Sequence, residues 1–466
     1  MRRVTKGEWL QRPSSGWRTK GFAITPDDFK PGHMVIAAAE AGRFGLDPAQ
    51  IPALPHVAGV LTETKIKGLP ATLPVLQVQD NKAALIALAK HVRDSFPGRI
   101  FAVTGSAGKT STCDMLRTTL SRFGTTARKS DVNTSLIACA RFLTQHLTKD
   151  LLVIEMALGG LPQMPLLARP HCAIVTSIAE AHLEYFDSLH TLALRKARIF
   201  DGSFPGTIGV LNRDMPHYED IAAFATAKGA RVFTFGTHAE ADMRLLAYDP
   251  ESRKVRAVLF DQPITYNLAT PGRHMAMNSL AVVTAAVTSG LSSGPVLEAL
   301  GEKHVVRQGR ILHQQLRIHG RRILLIDDAY NANPLSMRSA LDLLGDTRPS
   351  RQGRRIAVLG EMLELGSDGP RLHAELAEAV VRNRVECLFA AGPLMKHLWE
   401  ALPAEIHGAY TDEAGMLADV LRAAFRDGDV ILVKGSHSSR MHEITDMIRS
   451  WAVPEAATDL VDSRTA

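Results

Sequence analysis

Cysteine is scarce in this chain. Cys113, Cys139, Cys172 and Cys387 are the four in 466 residues, and no two form a C-x-x-C pair. That spacing argues against zinc or a disulfide framework and suits a reducing compartment. Long apolar runs are missing as well, so no segment spans a bilayer and no membrane partner is expected. The basic opening Met1-Arg2-Arg3 is followed by no apolar signal core, which makes the cytoplasm the expected location. No block of lysine and arginine with interleaved aromatics occurs, so nucleic acid is not an expected partner. There is no internal repeat and no low-complexity tract. What is present is ordinary for a globular protein: 45% hydrophobic residues, 22% charged residues and a net charge of +6. The positive balance is compatible with an anionic substrate such as a nucleotide. At about 150 residues per domain, the length suggests roughly three domains.

Periodicity divides the chain accordingly. Residues 1–97 form a small α/β unit with strands near 34–38 and 75–78 and a helix at 81–95, whose apolar positions are Ala84, Leu85, Leu88 and Val92. Pro97-Gly98 marks a turn. Residues 98–308 alternate strands (100–104, 151–154, 173–176, 208–211, 232–235) with helices such as 109–123 and 191–200. Residues 241–268 read as antiparallel, and 274–289 as a helix. Short apolar strands separated by helices predict a mostly parallel sheet covered on both faces. Residues 309–455 repeat the alternation on a smaller, Rossmann-like scale, with strands at 323–326, 356–359, 387–390 and 430–433 and helices at 334–344, 372–382 and 413–425. Residues 456–466 read as a polar tail.

The chemistry begins at residue 100. Ile100-Phe101-Ala102-Val103-Thr104 is a buried strand, followed by Gly105-Ser106-Ala107-Gly108-Lys109-Thr110-Ser111 and a helix. Glycines let backbone N–H groups wrap phosphate oxygens, and a helix N-terminus adds positive potential. Lys109 would reach the terminal phosphates of ATP and the Thr110 hydroxyl would hold Mg2+. The spacing is tighter than G-x-x-x-x-G-K-[ST]. An ordinary strand–turn–helix junction is the competing reading, disfavoured by the Gly-Lys-Thr run between strand and helix. By itself the loop implies nucleotide phosphate and names no reaction.

The run 103–112, Val-Thr-Gly-Ser-Ala-Gly-Lys-Thr-Ser-Thr, resembles the T-G-x-x-G-K-T-[ST]-[ST] loop of the Mur ligases, three-domain enzymes of peptidoglycan precursor synthesis. Three later stretches resemble the branch of that family that adds D-alanyl-D-alanine to a UDP-muramoyl tripeptide: Asp327-Asp328-Ala329-Tyr330-Asn331-Ala332-Asn333-Pro334, Leu359-Gly360-Glu361-Met362-Leu363-Glu364-Leu365-Gly366, and Val433-Lys434-Gly435-Ser436. The resemblance implies an ATP-dependent, ADP-forming ligase that joins a small-molecule acid to an amine through an acyl phosphate, acting as a monomer. It implies two Mg2+ ions, one held by Thr110 and Glu155, the other by His182 and a carbamylated Lys196. It further implies adenine contact by Asn278, ATP contacts by Arg310, Asp328 and Asn331 on closure, and Asn133 near the acceptor or γ-phosphate. Lys109, His182, Lys196 and Arg310 would be the catalytic set.

Several of these residues also have plain readings. His182 alone reads as a core or capping histidine, Lys196 as a surface lysine on a helix, Lys434 as a solvated strand-end lysine, and Asn331 and Asn333 as turn and cap residues before Pro334. The pattern also departs from the family. Ile24-Thr25-Pro26-Asp27-Asp28-Phe29-Lys30-Pro31-Gly32 keeps the K-P-G turn of the uridine-binding segment but lacks its Ser-Arg pair, and the D-G-H segment is missing around residues 41–48. Ser177 stands for an asparagine, Ala329 for a serine and His437 for an arginine. A paralogue with another acceptor, and a nucleotide-binding protein that does not ligate, are therefore the alternatives.

Overall fold

A computed structural model describes residues 1–39, 44–129, 135–146, 148–181, 183–302, 312–350 and 352–452. Within them the chain builds three sheets, each from one of the stretches that the sequence set apart.

The first sheet runs Glu8–Gln11, Val75–Gln77, Gly59–Thr62, Met34–Ala37, Phe22–Ala23, parallel except for its first strand. The 15-residue helix Asn81–Ser95 follows. Asp80 caps it by accepting from the Lys82 and Ala83 amides at 2.7 and 3.0 Å, satisfying two of the orphan donors of a helix start. Leu85 and Leu88 bury its apolar stripe in a core shared with Ile100, Phe142 and Met164, so this unit is fused to the next by hydrophobic packing. Arg93 adds a polar tie: its guanidinium donates to the Ala168 and Arg169 carbonyls at 2.6 and 2.7 Å, at the C-terminal end of the helix Gln163–Ala168.

The second sheet has nine strands in the order Gln262–Asn267, Lys254–Leu259, Met243–Asp249, Arg231–Gly236, Ile208–Asn212, Cys172–Val175, Arg99–Thr104, Leu151–Glu155, Thr126–Lys129. It is parallel through Met243–Asp249, and the last two strands in sequence add on antiparallel, as the 241–268 pattern predicts. The strand order reverses beside Arg99–Thr104, which puts a crevice at the carboxyl ends of that strand and Cys172–Val175.

The third sheet runs Leu312–Ile318, Arg321–Asp328, Val430–Lys434, Arg355–Gly360, Cys387–Ala391, His407–Thr411, with the first strand antiparallel. Separate apolar clusters cover its two faces.

Some boundaries move. The helix expected at 109–123 ends at Leu120, and that expected at 191–200 is Leu189–Ala197 continued as a 3-10 turn, Arg198–Gly202. The 372–382 helix is two, Gly369–Ala374 and Leu376–Arg382, and 413–425 is a 3-10 turn followed by Ala418–Ala424. The helix Leu136–Gln145 was not foreseen; Ser135 caps it by accepting from Ala138. All four cysteines are buried, and none is in a disulfide among the described residues.

Candidate active site

The loop after Thr104 owes its shape to two glycines. Gly105 has φ +150°, and a Cβ there would lie 2.0 Å from Thr176 Oγ1; Gly108 has φ +79°, and its Cβ would lie 2.5 Å from Asn278 Oδ1. Only glycine fits either place. The loop is pinned from the neighbouring strand end. The Thr176 hydroxyl donates to the Thr104 and Ala107 carbonyls at 3.1 and 2.5 Å, Ser177 Oγ accepts from the Ala107 amide at 3.0 Å, and Ser106 Oγ bonds Ala179 at 3.0 Å. Helix Lys109–Leu120 starts at the loop's end, so its first N–H groups and positive pole face the cleft.

Two side chains meet below the helix start. Thr110 Oγ1 donates to Glu155 Oε1 and Oε2 at 3.0 and 2.9 Å, bringing a hydroxyl and a carboxylate into one spot. Those are hard oxygen donors of the kind Mg2+ prefers, so the pair fits a magnesium ion.

Lys196 is where the plain reading fails. It is 1% exposed, against the surface lysine that its helix suggested. It lies on the buried stripe with Leu192, Ala193 and Ala197, and that apolar register was the available signal. Its Nζ donates to the Gly105 carbonyl at 3.0 Å, and Lys109 Nζ donates to the same oxygen at 2.8 Å. Burial first, and then the charge of Lys109, lower the Lys196 pKa well below its ordinary value. Lys196 therefore gives up its proton more readily than an exposed lysine would.

The third sheet closes the cleft from the other side. Asp328, at the end of Arg321–Asp328, accepts from Lys434 Nζ at 2.6 Å, and Lys434 also donates to the Asn331 carbonyl at 2.9 Å. Lys434 is 1% exposed, which corrects its reading as a solvated strand end. Asn333 caps helix Pro334–Asp346, as expected, and its amide also reaches across to the Ser106 carbonyl at 3.1 Å. A cavity of about 750 Å3 lies between the two sheets, lined among others by Ser106, Lys109, Glu155, Asn278, Asp328 and Asn331. That is within the size range of small-molecule sites. Ala107, Gly108, Thr110 and Ser111 also line it, whereas Gly105 and Lys196 are not part of its lining.

Sequence reasoning missed Asn212, Asp214 and His274, which line the same cavity. Burial, with help from the Lys434 charge, pulls the His274 pKa down to about 4, and its Nε2 is buried without a hydrogen-bond partner among the described residues. A polar residue at the end of a strand (Asn212) or just past it (Asp214), or in the first turn of a helix after a positive-φ glycine (His274), was the sign to look for. His182, Arg310 and Asn133 lie outside the described residues, as do residues 41–43 of the expected D-G-H segment.

A glycine-built phosphate loop, a hydroxyl–carboxylate pair and a second α/β sheet shutting over them define a nucleotide-dependent enzyme that works in a closed interdomain cleft. Residues 103–286 match the Mur ligase middle domain, and residues 314–437 match the Mur ligase glutamate ligase domain. The UDP-N-acetylmuramoyl-tripeptide–D-alanyl-D-alanine ligase of Escherichia coli K12 is 30% identical over 91% of this chain and 92% of its own. That of Bacillus subtilis is 26% identical over 84% and 85%. Among solved structures, MurF from Acinetobacter baumannii superposes with a TM-score of 0.80 at 21% identity, over 96% of this chain and 97% of that one. MurF from Thermotoga maritima in complex with ADP gives 0.75 at 22%, over 94% and 99%. The chain belongs to the Mur ligase family.

Proposed function

We propose that this chain joins D-alanyl-D-alanine to a UDP-muramoyl tripeptide, using ATP and releasing ADP. The observation that carries the proposal is the seating of the Asp327–Pro334 segment on the phosphate loop, through the Asn333–Ser106 contact, beside the Lys434–Asp328 pair. The near full-length similarity to ligases of that name supports the substrate pair.

In this reading residues 1–97 take the acceptor, 98–308 hold ATP and 309–455 bring the amine. The loop amides and Lys109 bind the β- and γ-phosphates, Asn278 contacts adenine, and Arg310, Asp328 and Asn331 meet ATP from the far side. Thr110 and Glu155 would hold one Mg2+, His182 and Lys196 a second. Magnesium supplies charge neutralisation on the transferring phosphoryl group. The acceptor carboxylate takes the γ-phosphoryl group, and the closed cleft keeps water from the acyl phosphate until the amine attacks and phosphate leaves.

Lys196 carries its own proposal. A neutral buried amine is nucleophilic toward CO2, and the carbamate, formed with release of one proton, would set beside Lys109 an anion that attracts both that lysine and Mg2+. Labelled bicarbonate should give a carbamate carbon resonance that Lys196→Ala lacks.

The deciding experiment is ATP-dependent phosphate release with UDP-muramoyl tripeptide and D-alanyl-D-alanine, with the product mass checked. The pentapeptide mass is expected. Binding of ATP and Mg2+ with no turnover of this pair would overturn the substrate assignment and turn attention to other acids and amines.

A further inference from the structure

We propose that His190, His217 and Asp220 form a binding site for a divalent transition-metal ion of the zinc class, separate from the magnesium positions in the cleft. His190 stands at the start of helix Leu189–Ala197; His217 precedes helix Tyr218–Ala227 and Asp220 lies in its first turn. Asp220 Oδ2 is 3.4 Å from His190 Nε2 and 3.4 Å from His217 Nδ1, and the two rings are 5.0 Å apart. One ligand atom from each residue lies within 4.8 Å of the others.

The distances suit an ion better than direct pairing. A separation of 3.4 Å is long for an N–H···O hydrogen bond, whose range is about 2.7–3.2 Å. Ligands at about 2.0–2.2 Å from a tetrahedral metal sit roughly 3.3–3.5 Å from one another, which is the spacing of both carboxylate–imidazole edges. Only the His190–His217 edge has to close, and His190, with half its side chain exposed, has the freedom to turn. Two imidazoles and a carboxylate select zinc, nickel or copper over magnesium or calcium, and three protein ligands leave one position for water. No cysteine is involved, so the scarcity of that residue does not count against the site.

Position gives the site a consequence. Leu189 and Pro216, the chain neighbours of His190 and His217, both line the interdomain cavity. An ion held here would clamp two helices at the rim of the cleft, one of which also carries Lys196. The inference rests on these three side chains and stands whether or not the ligase assignment holds.

The test is competition for Zn2+ between a chromophoric chelator and the full-length, chelator-stripped protein, in excess Mg2+. Wild type should take up one Zn2+ that His190→Ala and His217→Ala bind at least about 100-fold more weakly. Co2+ should give the strong visible absorption of a four-coordinate ion in wild type and not in the variants. Circular dichroism and Mg2+-dependent ATP turnover should be the same for all three proteins. Zinc uptake unchanged in both variants, or no uptake by wild type against the chelator, would overturn the proposal.

Discussion

The loop after Thr104 and the turn after Thr25 both follow a parallel strand, yet they use their polar groups in opposite ways. Around Gly105–Thr110 the hydroxyls of Thr176, Ser177 and Ser106 fasten the loop from behind, leaving the helix start, Lys109 and the Thr110–Glu155 pair on the cleft. At Pro26–Asp28 the Asp28 carboxylate faces the protein itself, while Asp27 is exposed. Asp28 Oδ2 accepts from the Ile24 and Thr25 amides, both at 3.3 Å, and Oδ1 pairs with Arg141 on helix Leu136–Gln145. The first arrangement is a rigid cradle that offers donors outward; the second is a joint between two units. The missing Ser-Arg pair falls in the joint, whereas the departure in the cradle is Ser177, which still holds the loop.

The largest effect should come from the cradle. Lys109→Ala should lower ATP-dependent phosphate release by at least about 1000-fold, in line with losing a principal charge stabiliser. The thermal midpoint should stay near wild type, because backbone and hydroxyl contacts hold the loop. Steady-state ADP release measures the first and a melting curve the second. Turnover within tenfold of wild type would remove Lys109 from the proposed machinery.

Next comes the joint. Arg93 makes two charge-assisted bonds to carbonyls that a helix end leaves unsatisfied, and burial draws its pKa down to about 10. Arg93→Met should cost about 3 kcal/mol in urea unfolding. It should open residues 1–97 to protease while ATP affinity changes little. If ATP affinity fell as far as stability, the two regions would be one cooperative unit and the contrast would fail.

The strand starts beside that joint should be sensitive to acid. His171 Nδ1 accepts from the Ile100 amide at 3.0 Å, which requires that nitrogen to be unprotonated. Burial first, then Arg93, Arg99 and Arg169, lower its pKa to about 4. Between pH 4 and 6.5 this residue therefore binds more protons in the unfolded chain than in the folded one. Stability is fully present above about 6.5 and is lost as pH falls toward 4. Since His171 is partly exposed, screening should reduce its share to about 1–2 kcal/mol. Unfolding midpoints measured across that window should slope less in His171→Gln, whose amide oxygen can accept the same bond.

The cradle was legible in the sequence because phosphate binding needs contiguous residues: a strand, two glycines, a lysine and a hydroxyl in one stretch. The three sheets were legible because their strands are short and apolar. Lys196 and Lys434 as buried groups were not, since the type of residue says surface and only packing against Gly105 or Asp328 decides otherwise. The joint was least legible. The sequence shows that a Ser-Arg pair is missing but not that Asp28 faces Arg141, a contact between residues 113 apart.

The smallest effect tests the proposed division of labour most closely. Asp28→Asn keeps the shape of the side chain and one acceptor for the turn, but removes the charge that faces Arg141. The pair is partly buried, with side chains 20% and 12% exposed, so its loss should lie between the small cost of a surface pair and the several kcal/mol of a buried one. About 1 kcal/mol is expected, close to a fivefold change in an equilibrium. If residues 1–97 receive the acceptor, that change should appear in the KM for the acid substrate, because the unit would dock less firmly over the cleft. The KM for ATP should not move, because among the described residues the Asp28 carboxylate bonds only to its own turn and to Arg141. Equal rises in both would mean that the turn acts through the whole fold. A rise in the ATP constant alone would reverse the assignment of the two regions.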